Sequence, residues 1–238
     1  MPALVLALVI AVVDMAAFGE FWMAAQMNPA LLTPTGLILG VAAATSVFAA
    51  VLMLSQRSLK RLLVLSTIED AGFLLLGMAA ATELGATGAM LAACTHALAK
   101  ALLFVCLSAP EADGVLEGTP VALAARYPVS AFGFLFGMLA MLGIPPLMGF
   151  LGRWRLYESA LKISPVLLGV FVLSSVLALI AYVLALTRNW WGPPKEAESP
   201  ESGSEPFALR GAIVALVAAL LVAGIWPNVL EVLQWGRL

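Results

Sequence analysis

The stretch THALAKALLF places a histidine and a lysine four residues apart inside an apolar run, Ala86 to Ser108. His96 is the only histidine of the chain, and Lys100 lies eight residues before the Ser108 end of the run. Residues i and i+4 share one helix face, so the two side chains could exchange a proton directly or through one water. Histidine changes its protonation near neutral pH, and burial favours the uncharged form of lysine. The pair predicts a proton relay; the alternative is a polar pair that only hydrogen-bonds neighbouring helices.

A third cation, Arg153, follows the sequence GIPPLMGFLG. Arginine does not deprotonate in proteins, so Arg153 cannot itself carry a proton. It could set the potential of a relay, pair with a carboxylate or close a path to cations. An arginine that only marks the membrane interface at the end of a span is the alternative interpretation.

Three acids complete the set of residues that could take part in ion chemistry. Asp14 lies near the middle of the first apolar segment and is the best candidate for a carboxylate inside the membrane, or one that faces a partner subunit. Glu69 and Asp70 occur in STIEDAGF, about two turns into the third segment. They could extend a relay, but we expect them to lie at the interface, screened by the basic residues of the preceding RSLKR sequence.

The elements that must position these residues are membrane helices. The chain of 238 residues is 63% hydrophobic and 11% charged, whereas soluble domains are about 45–50% apolar and about 25% charged. A helix of about 20 residues crosses the bilayer core. The sequence therefore predicts an all-α polytopic membrane protein with about seven transmembrane helices. The segments are Pro2–Trp22, Thr35–Leu54, Leu62–Ala81, Ala86–Ser108, Val129 to about Tyr157, Pro165–Leu186 and Leu209–Trp226.

The fifth segment contains a predicted helix break. Pro145 and Pro146 remove backbone donors in the middle of the run, and Gly143 allows an unwound turn. Broken helices at membrane depth occur where protein or a hydrated cavity satisfies the freed carbonyl groups, and in transporters they mark ion paths. An ordinary proline kink is the equally open alternative.

The distribution of positive charge predicts the orientation. One membrane face would carry most of the Lys and Arg residues outside the spans, and only Lys162 and Arg237 would lie at the other. The positive-inside rule then places the N-terminus and the RSLKR loop in the cytoplasm and the C-terminus outside. We interpret the first segment as a retained span, because it is too long for a signal-peptide core and no Lys or Arg precedes it. The residues assigned to the cytoplasmic face are Arg57, Lys60, Arg61, Arg126, Arg188, Lys195 and Arg210.

No motif for hydrolytic or redox chemistry is found in the sequence. There is no HExxH, Gly-rich phosphate loop or GxSxG. Cys94 and Cys106 lie twelve residues apart on one predicted helix, too far for a disulfide, and are expected to be packing residues. We therefore expect no metal, no bound cofactor and no catalytic chemistry in this chain, and its substrate to be an ion.

Three sequence blocks in combination resemble a known family. LSQRSLKRLLVLSTIEDAGFLLLG, GAMLAACTHALAKALLF and GMLAMLGIPPLMGFLGRW are similar, in order and spacing, to the antiporter-like ion-pumping subunits of respiratory complex I, membrane-bound hydrogenases and Mrp-type sodium/proton antiporters. The resemblance covers about Thr35 to Leu186. It implies a core of about fourteen helices with two inverted five-helix repeats, each containing one broken helix.

The resemblance also implies roles for individual residues. His96 and Lys100 match the proton-relay positions of the family, and Gly143 to Pro146 match the break of the second repeat. Arg153 occupies the position where the family usually carries a lysine, or in some members a glutamate, that exchanges protons with the outside. Arginine at this position removes a titratable group from the exit.

The chain departs from the family in supplying one repeat. GIPP occurs once, and the glutamate and lysine of the first repeat have no counterpart. The chain divides into an N-terminal helix and loop (1–34), the antiporter-like repeat (35–190), a flexible polar linker (191–206) and a C-terminal helix and tail (207–238). Either another polypeptide supplies the missing half, with Asp14 contributing, or the chain does not conduct.

The function implied is that of a half-length subunit that helps to move protons, or less favourably sodium, driven by redox chemistry elsewhere in a larger complex. Its partners would be other membrane subunits, including antiporter-like chains, in a prokaryotic cytoplasmic membrane. A non-conducting docking subunit of an oxidoreductase complex is the first alternative. A self-associating cation/proton antiporter is the second, because one repeat would need a dimer to complete a path.

Overall fold

The computed structural model describes residues 2–28, 31, 35–116, 122–192 and 205–226. This part of the chain contains ten α-helices and a π-helical turn, Leu186–Trp190, that continues the ninth. The α-helices are α1 (Ala3–Met27), α2 (Thr35–Leu54), α3 (Leu59–Ala79), α4 (Glu83–Cys106), α5 (Ser108–Ala112), α6 (Leu123–Arg126), α7 (Pro128–Met141), α8 (Gly149–Ile163), α9 (Pro165–Ala185) and α10 (Phe207–Ile225).

Six helical segments among the described residues are long and apolar enough to cross a membrane. They are α1, α2, α3, α4 together with α5, α9 together with its π-helical turn, and α10. α7 is apolar but has only 14 residues, and with α8 it fills the predicted fifth segment. The prediction of an all-α integral membrane protein with about seven membrane segments is confirmed.

The helix break is also confirmed. α7 ends at Met141 and α8 begins at Gly149, and the residues between them form turns. Gly143 has a φ of 70°, in the left-handed region that favours glycine. The peptide bond between Pro145 and Pro146 is cis. The chain therefore leaves helical geometry in the middle of the fifth segment.

Several helix boundaries differ from the predicted ones, including those of α1 and α3. α1 continues to Met27, five residues beyond Trp22, because the MAAQM sequence favours helix. α3 begins at Leu59 instead of Leu62, so its side chains lie almost one turn deeper than predicted. Most of the predicted flexible linker, residues 193–204, and the C-terminal tail from residue 227 onward lie outside the described residues.

A polar layer separates two apolar clusters inside the helix bundle. One cluster is built around Phe73 and Leu156, the other around Leu103 and Trp190. On the helices that contribute to both clusters, buried polar residues lie between the two apolar stretches. The polar layer consists of Ser46, Ser66, Glu69, Asp70, Thr95, His96, Lys100, Arg153 and Ser174. Because apolar side chains enclose it on both sides, its groups must satisfy one another.

The end of the bundle that carries most of the positive charge is held together by carboxylates. Glu111 on α5 accepts hydrogen bonds from Lys60 and from the backbone N–H of Ala3 at the start of α1. Glu205, just before α10, accepts from the backbone N–H groups of Val129 and Ser130 in the first turn of α7. We call this end, which also contains the α2–α3 turn and α6, the basic end.

Candidate functional site

The two acids of α3 lie inside the bundle. Glu69 is 2% exposed and Asp70 is 4% exposed, so the prediction that they lie at the interface, screened by the RSLKR residues, is wrong. Glu69 is ten residues after the first residue of α3, which is about 15 Å along the helix. That distance is half of a bilayer core of about 30 Å. The acids therefore reach the middle of the span, and the bundle must neutralise them.

Arg153 provides the neutralising charge. Its Nη2 donates to Asp70 Oδ1 at 2.7 Å and to Glu69 Oε2 at 3.2 Å, and its Nη1 donates to Glu69 Oε1 at 3.4 Å. The guanidinium carbon lies 3.7 Å from the centre of the Phe73 ring, a cation–π contact. Of the roles considered for Arg153, the geometry supports pairing with carboxylates, and the fork of two nitrogens suits this.

The helix break supplies Arg153 with a further acceptor. Arg153 Nε and Nη2 donate to the backbone oxygen of Met141 at 3.2 and 3.0 Å. Met141 is the last residue of α7, so its carbonyl has no partner within the helix. Gly143 makes this approach possible, because a Cβ there would lie 2.6 Å from Arg153 Cγ. Gly143, one of the residues predicted to break the helix, thus lies directly against Arg153, one of the predicted site residues.

His96 joins two carboxylates. Its Nδ1 lies 2.7 Å from Asp70 Oδ2, and its Nε2 lies 3.2 Å from Asp14 Oδ2. A neutral imidazole has one N–H donor, whereas an imidazolium has two. Both carboxylates can therefore be satisfied at once only by the protonated ring, or by a neutral ring beside one protonated acid. This arrangement can hold one proton at either of two places.

Asp14 is the most accessible group of the site. Its side chain is 35% exposed, whereas that of His96 is 4% exposed. It lies near the middle of α1, where the exposed neighbours Leu8, Val12 and Val13 are apolar. The predicted intramembrane position of Asp14 agrees with this geometry, and the contact with His96 connects the outer surface of the bundle to the polar layer.

Lys100 has a different kind of environment. It is 0% exposed, and its Nζ donates to the backbone oxygen of Leu63 at 2.6 Å and to the Ser66 hydroxyl. Ser66 Oγ also accepts from the Tyr182 hydroxyl at 2.9 Å and donates to Leu63 O. Among the described residues, no carboxylate lies within ion-pair distance of Lys100. We call Leu63 O, Ser66 and Tyr182 the lysine cradle.

The predicted site residues thus fall into two groups. Asp14, Glu69, Asp70, His96 and Arg153 form one continuous network of ion pairs and hydrogen bonds. Lys100 belongs to the neighbouring cradle, and no hydrogen bond joins it to His96 in the described structure. A proton transfer between the two therefore requires a water molecule or a movement of a side chain.

Sequence reasoning missed the hydroxyl groups of the site. Ser66 and Tyr182 form the cradle, and Ser174 donates to Glu69 Oε1 at 3.2 Å. Tyr182 is the only tyrosine in its span, which is a weak signal for a buried hydroxyl. Within the described ranges, no group of three or more His, Cys, Asp or Glu residues is arranged to hold a metal ion.

The family model, the related sequences and the solved structures that match this chain all point to one family. The family model described as "NADH:quinone oxidoreductase/Mrp antiporter, TM" matches residues 1–178. NADH-quinone oxidoreductase subunit N 2 of Acidobacterium capsulatum is 34% identical over 190 residues, which are 77% of this chain and 38% of that protein. The chain therefore spans well under half the length of this curated relative.

Solved structures show the same fold. A chain of the Mrp complex from a Dietzia species superposes with a TM-score of 0.79 at 20% identity, covering 91% of this chain and 49% of that one. A chain of respiratory complex I from Thermus thermophilus with bound NADH superposes with a TM-score of 0.72 at 26% identity, covering 82% and 41%. Since the family model matches well over half of its residues, the chain belongs to the NADH:quinone oxidoreductase/Mrp antiporter family of membrane proteins.

Proposed function

We propose that this chain is an antiporter-like subunit of a redox-driven ion-pumping membrane complex, and that its polar layer carries the proton-exchanging groups of one half of the path. The observation that carries the proposal is Lys100, a fully buried lysine solvated by neutral oxygens beside a carboxylate–histidine network. The family relationship supports the class of function, because relatives are named as subunits of oxidoreductases.

Lys100 is the proton-binding group in this proposal. A buried lysine changes protonation more readily than an arginine, which stays charged. A carboxylate in contact with Lys100 would hold it as an ammonium ion, but the cradle offers only a carbonyl and a hydroxyl. The neutral amine can remain hydrogen-bonded there, since the Ser66 hydroxyl can donate as well as accept. Both protonation states of Lys100 therefore have partners.

His96 is the relay between the cradle and Asp14. The network and Lys100 together contain three carboxylates and, when Lys100, His96 and Arg153 are all charged, three cations. The cluster is then neutral. Release of one proton leaves a single excess negative charge that attracts the next proton. Arg153 contributes a fixed positive charge that opposes a second cation nearby and so favours release from Lys100.

The pairing of the three carboxylates with His96 and Arg153 favours the transport of protons over that of sodium ions. Sodium binding would need carboxylate or carbonyl oxygens free of basic partners. In the described structure, each carboxylate of the network already faces Arg153 or His96.

The half-exposed Asp14 is the place where a further segment could supply the other half of the path. We propose that another antiporter-like chain or segment covers it.

The orientation follows from charge. We propose that the basic end faces the cytoplasm, because the positive-inside rule favours that placement. The end of α10 at Ile225 would then lie at the outer face, in agreement with the predicted orientation of the C-terminal region.

The test is Lys100→Met in the native complex. Met keeps much of the volume of Lys without a proton-binding group, so we expect redox-driven proton translocation by membrane vesicles to fall to background while the complex still assembles. Lys162→Ala is the matched control, because Lys162 is exposed and pairs with Glu158 on its own helix. Normal translocation by an assembled Lys100→Met complex contradicts the proposal.

One observation favours a second function, that of a non-conducting docking subunit. Arg153 occupies the exit position implied by the family resemblance, and it is fully engaged with two carboxylates and a carbonyl. In that case Lys100→Met would change only assembly or stability. Measuring translocation per assembled complex separates the two functions.

A further inference from the structure

The segment from Glu205 to the end of α10 lies beyond residue 178, where the match to the family model ends, yet it contacts the first turn of α7 and the break that follows α7. Near the basic end, Glu205 caps the first turn of α7 through Val129 and Ser130. At the other end, α10 reaches the break between α7 and α8. The backbone N–H of Met148 donates to the backbone oxygen of Leu220 at 3.0 Å.

The bond from Met148 differs from the other hydrogen bonds of the break. The remaining backbone N–H groups between Leu142 and Leu147 bond to carbonyls of α7 or of the break itself. Met148 is 1% exposed, so water cannot replace a missing acceptor. A buried N–H at membrane depth without a partner is strongly unfavourable. α10 therefore supplies a bond that the broken segment cannot make by itself.

Gly224 allows α10 to approach the break this closely. A Cβ at Gly224 would lie 2.1 Å from the backbone oxygen of Pro146 and 2.7 Å from the nitrogen of Met148. Both atoms belong to backbone, which cannot rotate away as a side chain could. A side chain at position 224 must therefore move the break or α10.

Movement of the break would be transmitted to Arg153. Met141 O, at the start of the break, accepts two hydrogen bonds from the Arg153 guanidinium. Gly143 packs directly on the Arg153 side chain, with a Cβ there only 2.6 Å from Arg153 Cγ. The break is thus held between α10 on one side and Arg153 on the other.

We propose that α10 positions the broken helix, and that Gly224 together with the Leu220 carbonyl keeps Arg153 in register with Glu69 and Asp70. Gly224 is a positioning residue that touches neither the cradle nor the ion-pair network. The position of Arg153 can be tested without measuring translocation. Any effect of Gly224 on translocation, however, rests on the proposed function.

The experiment compares Gly224→Ala with Gly211→Ala in the full chain in its native membrane. Gly211 lies on the same helix, and a Cβ there would meet nothing within 4 Å. Two readouts are measured: hydrogen–deuterium exchange of the Met148 amide, and labelling of Glu69 and Asp70 by an apolar carbodiimide. The carbodiimide reacts with protonated carboxyl groups, the form that a buried acid takes when it loses its cationic partner. Neither readout requires translocation.

We expect Gly224→Ala to exchange the Met148 amide roughly tenfold faster than the unaltered chain, and to increase carbodiimide labelling of the two acids. Gly211→Ala should change neither. Unchanged exchange in Gly224→Ala overturns the contact, and faster exchange without increased labelling overturns the positioning of Arg153. If Gly224→Ala does not accumulate, the unaltered chain still tests the contact, because a Met148 amide that exchanges as fast as an unstructured one overturns it. Failure of the proposed function would be recognised differently, by normal translocation in an assembled Lys100→Met complex. That result would not change the Met148 exchange or the carbodiimide labelling expected for Gly224→Ala.

Discussion

The bundle buries two cations in one polar layer and satisfies them in opposite ways. Arg153 faces Glu69 and Asp70, both nearly inaccessible, and also binds the carbonyl of Met141. Lys100, equally buried, is bonded only to neutral oxygens of the cradle. Arg153, which cannot release a proton, is in contact with carboxylates. Lys100, which can release one, has no carboxylate in contact with it among the described residues.

The difference separates holding a structure from exchanging an ion. A buried ion pair with several hydrogen bonds is costly to break, because each partner left behind is a buried charge without compensation. A lysine among neutral dipoles leaves no such charge behind when it becomes neutral. We therefore expect substitutions around Arg153 to act mainly on folding, and substitutions around Lys100 mainly on translocation.

The largest expected effect is that of Arg153→Met. Among the described residues, it leaves the buried Glu69 without a cationic partner and Asp70 with His96 alone, and breaking a buried pair in this way costs about 3–5 kcal/mol. The measurement is the reaction of the buried Cys106 thiol with a thiol reagent as denaturant is added, detected by mass spectrometry of the labelled peptide. Cys106 should react at a far lower denaturant concentration in Arg153→Met than in the unaltered protein. Adding Glu69→Gln and Asp70→Asn to Arg153→Met should restore much of the lost stability, since neither acid is then left charged without Arg153.

Equal stability of Arg153→Met and the unaltered chain would contradict the view that these ion pairs hold the polar layer together. Failure of the triple variant to recover would indicate instead that Arg153 acts through its packing on Phe73. The comparison thus distinguishes charge from shape at the same position.

A smaller effect on stability is expected for Lys100→Met. After the substitution, Leu63 O still accepts from Ser66, and Ser66 still accepts from Tyr182. One donor group and its two hydrogen bonds are lost, which corresponds to about 1–2 kcal/mol in the same Cys106 assay. A loss as large as that in Arg153→Met would show that Lys100 is held by charges in the same way, and the contrast between the two cations would disappear.

Local sequence features predicted the helices and the break. Apolar runs of sufficient length, Gly143 and the two prolines act on the backbone where they stand, so their effect can be inferred without knowing the neighbours. The depth of Glu69 and Asp70 was predicted wrongly, since it depends on where α3 begins and on Arg153, which is more than eighty residues away in the chain.

The partners of the predicted relay pair show the same limit. Spacing placed His96 and Lys100 on one face, but it could not reveal that α1 and α3 supply Asp14 and Asp70 to the histidine alone. Serine and tyrosine hydroxyls are common in apolar helices, so the cradle had no distinctive sequence pattern. A local pattern identifies candidate residues, whereas tertiary packing determines which of them are connected.

The smallest expected effects come from a matched pair of hydroxyl deletions, one in each region. Tyr182→Phe removes the donor to Ser66 in the lysine cradle, and Tyr157→Phe removes the donor to Ser175, which also contacts Arg153. Each loses one hydrogen bond, about 1 kcal/mol in stability. If the cradle orients Ser66 for proton exchange, Tyr182→Phe should also slow redox-driven proton translocation about fivefold, the rate equivalent of that free energy. Tyr157→Phe should leave the rate unchanged, because its hydroxyl lies beside a cation that keeps its proton. Equal slowing by both would mean that loss of packing order, and not the chemistry of the lysine cradle, limits translocation.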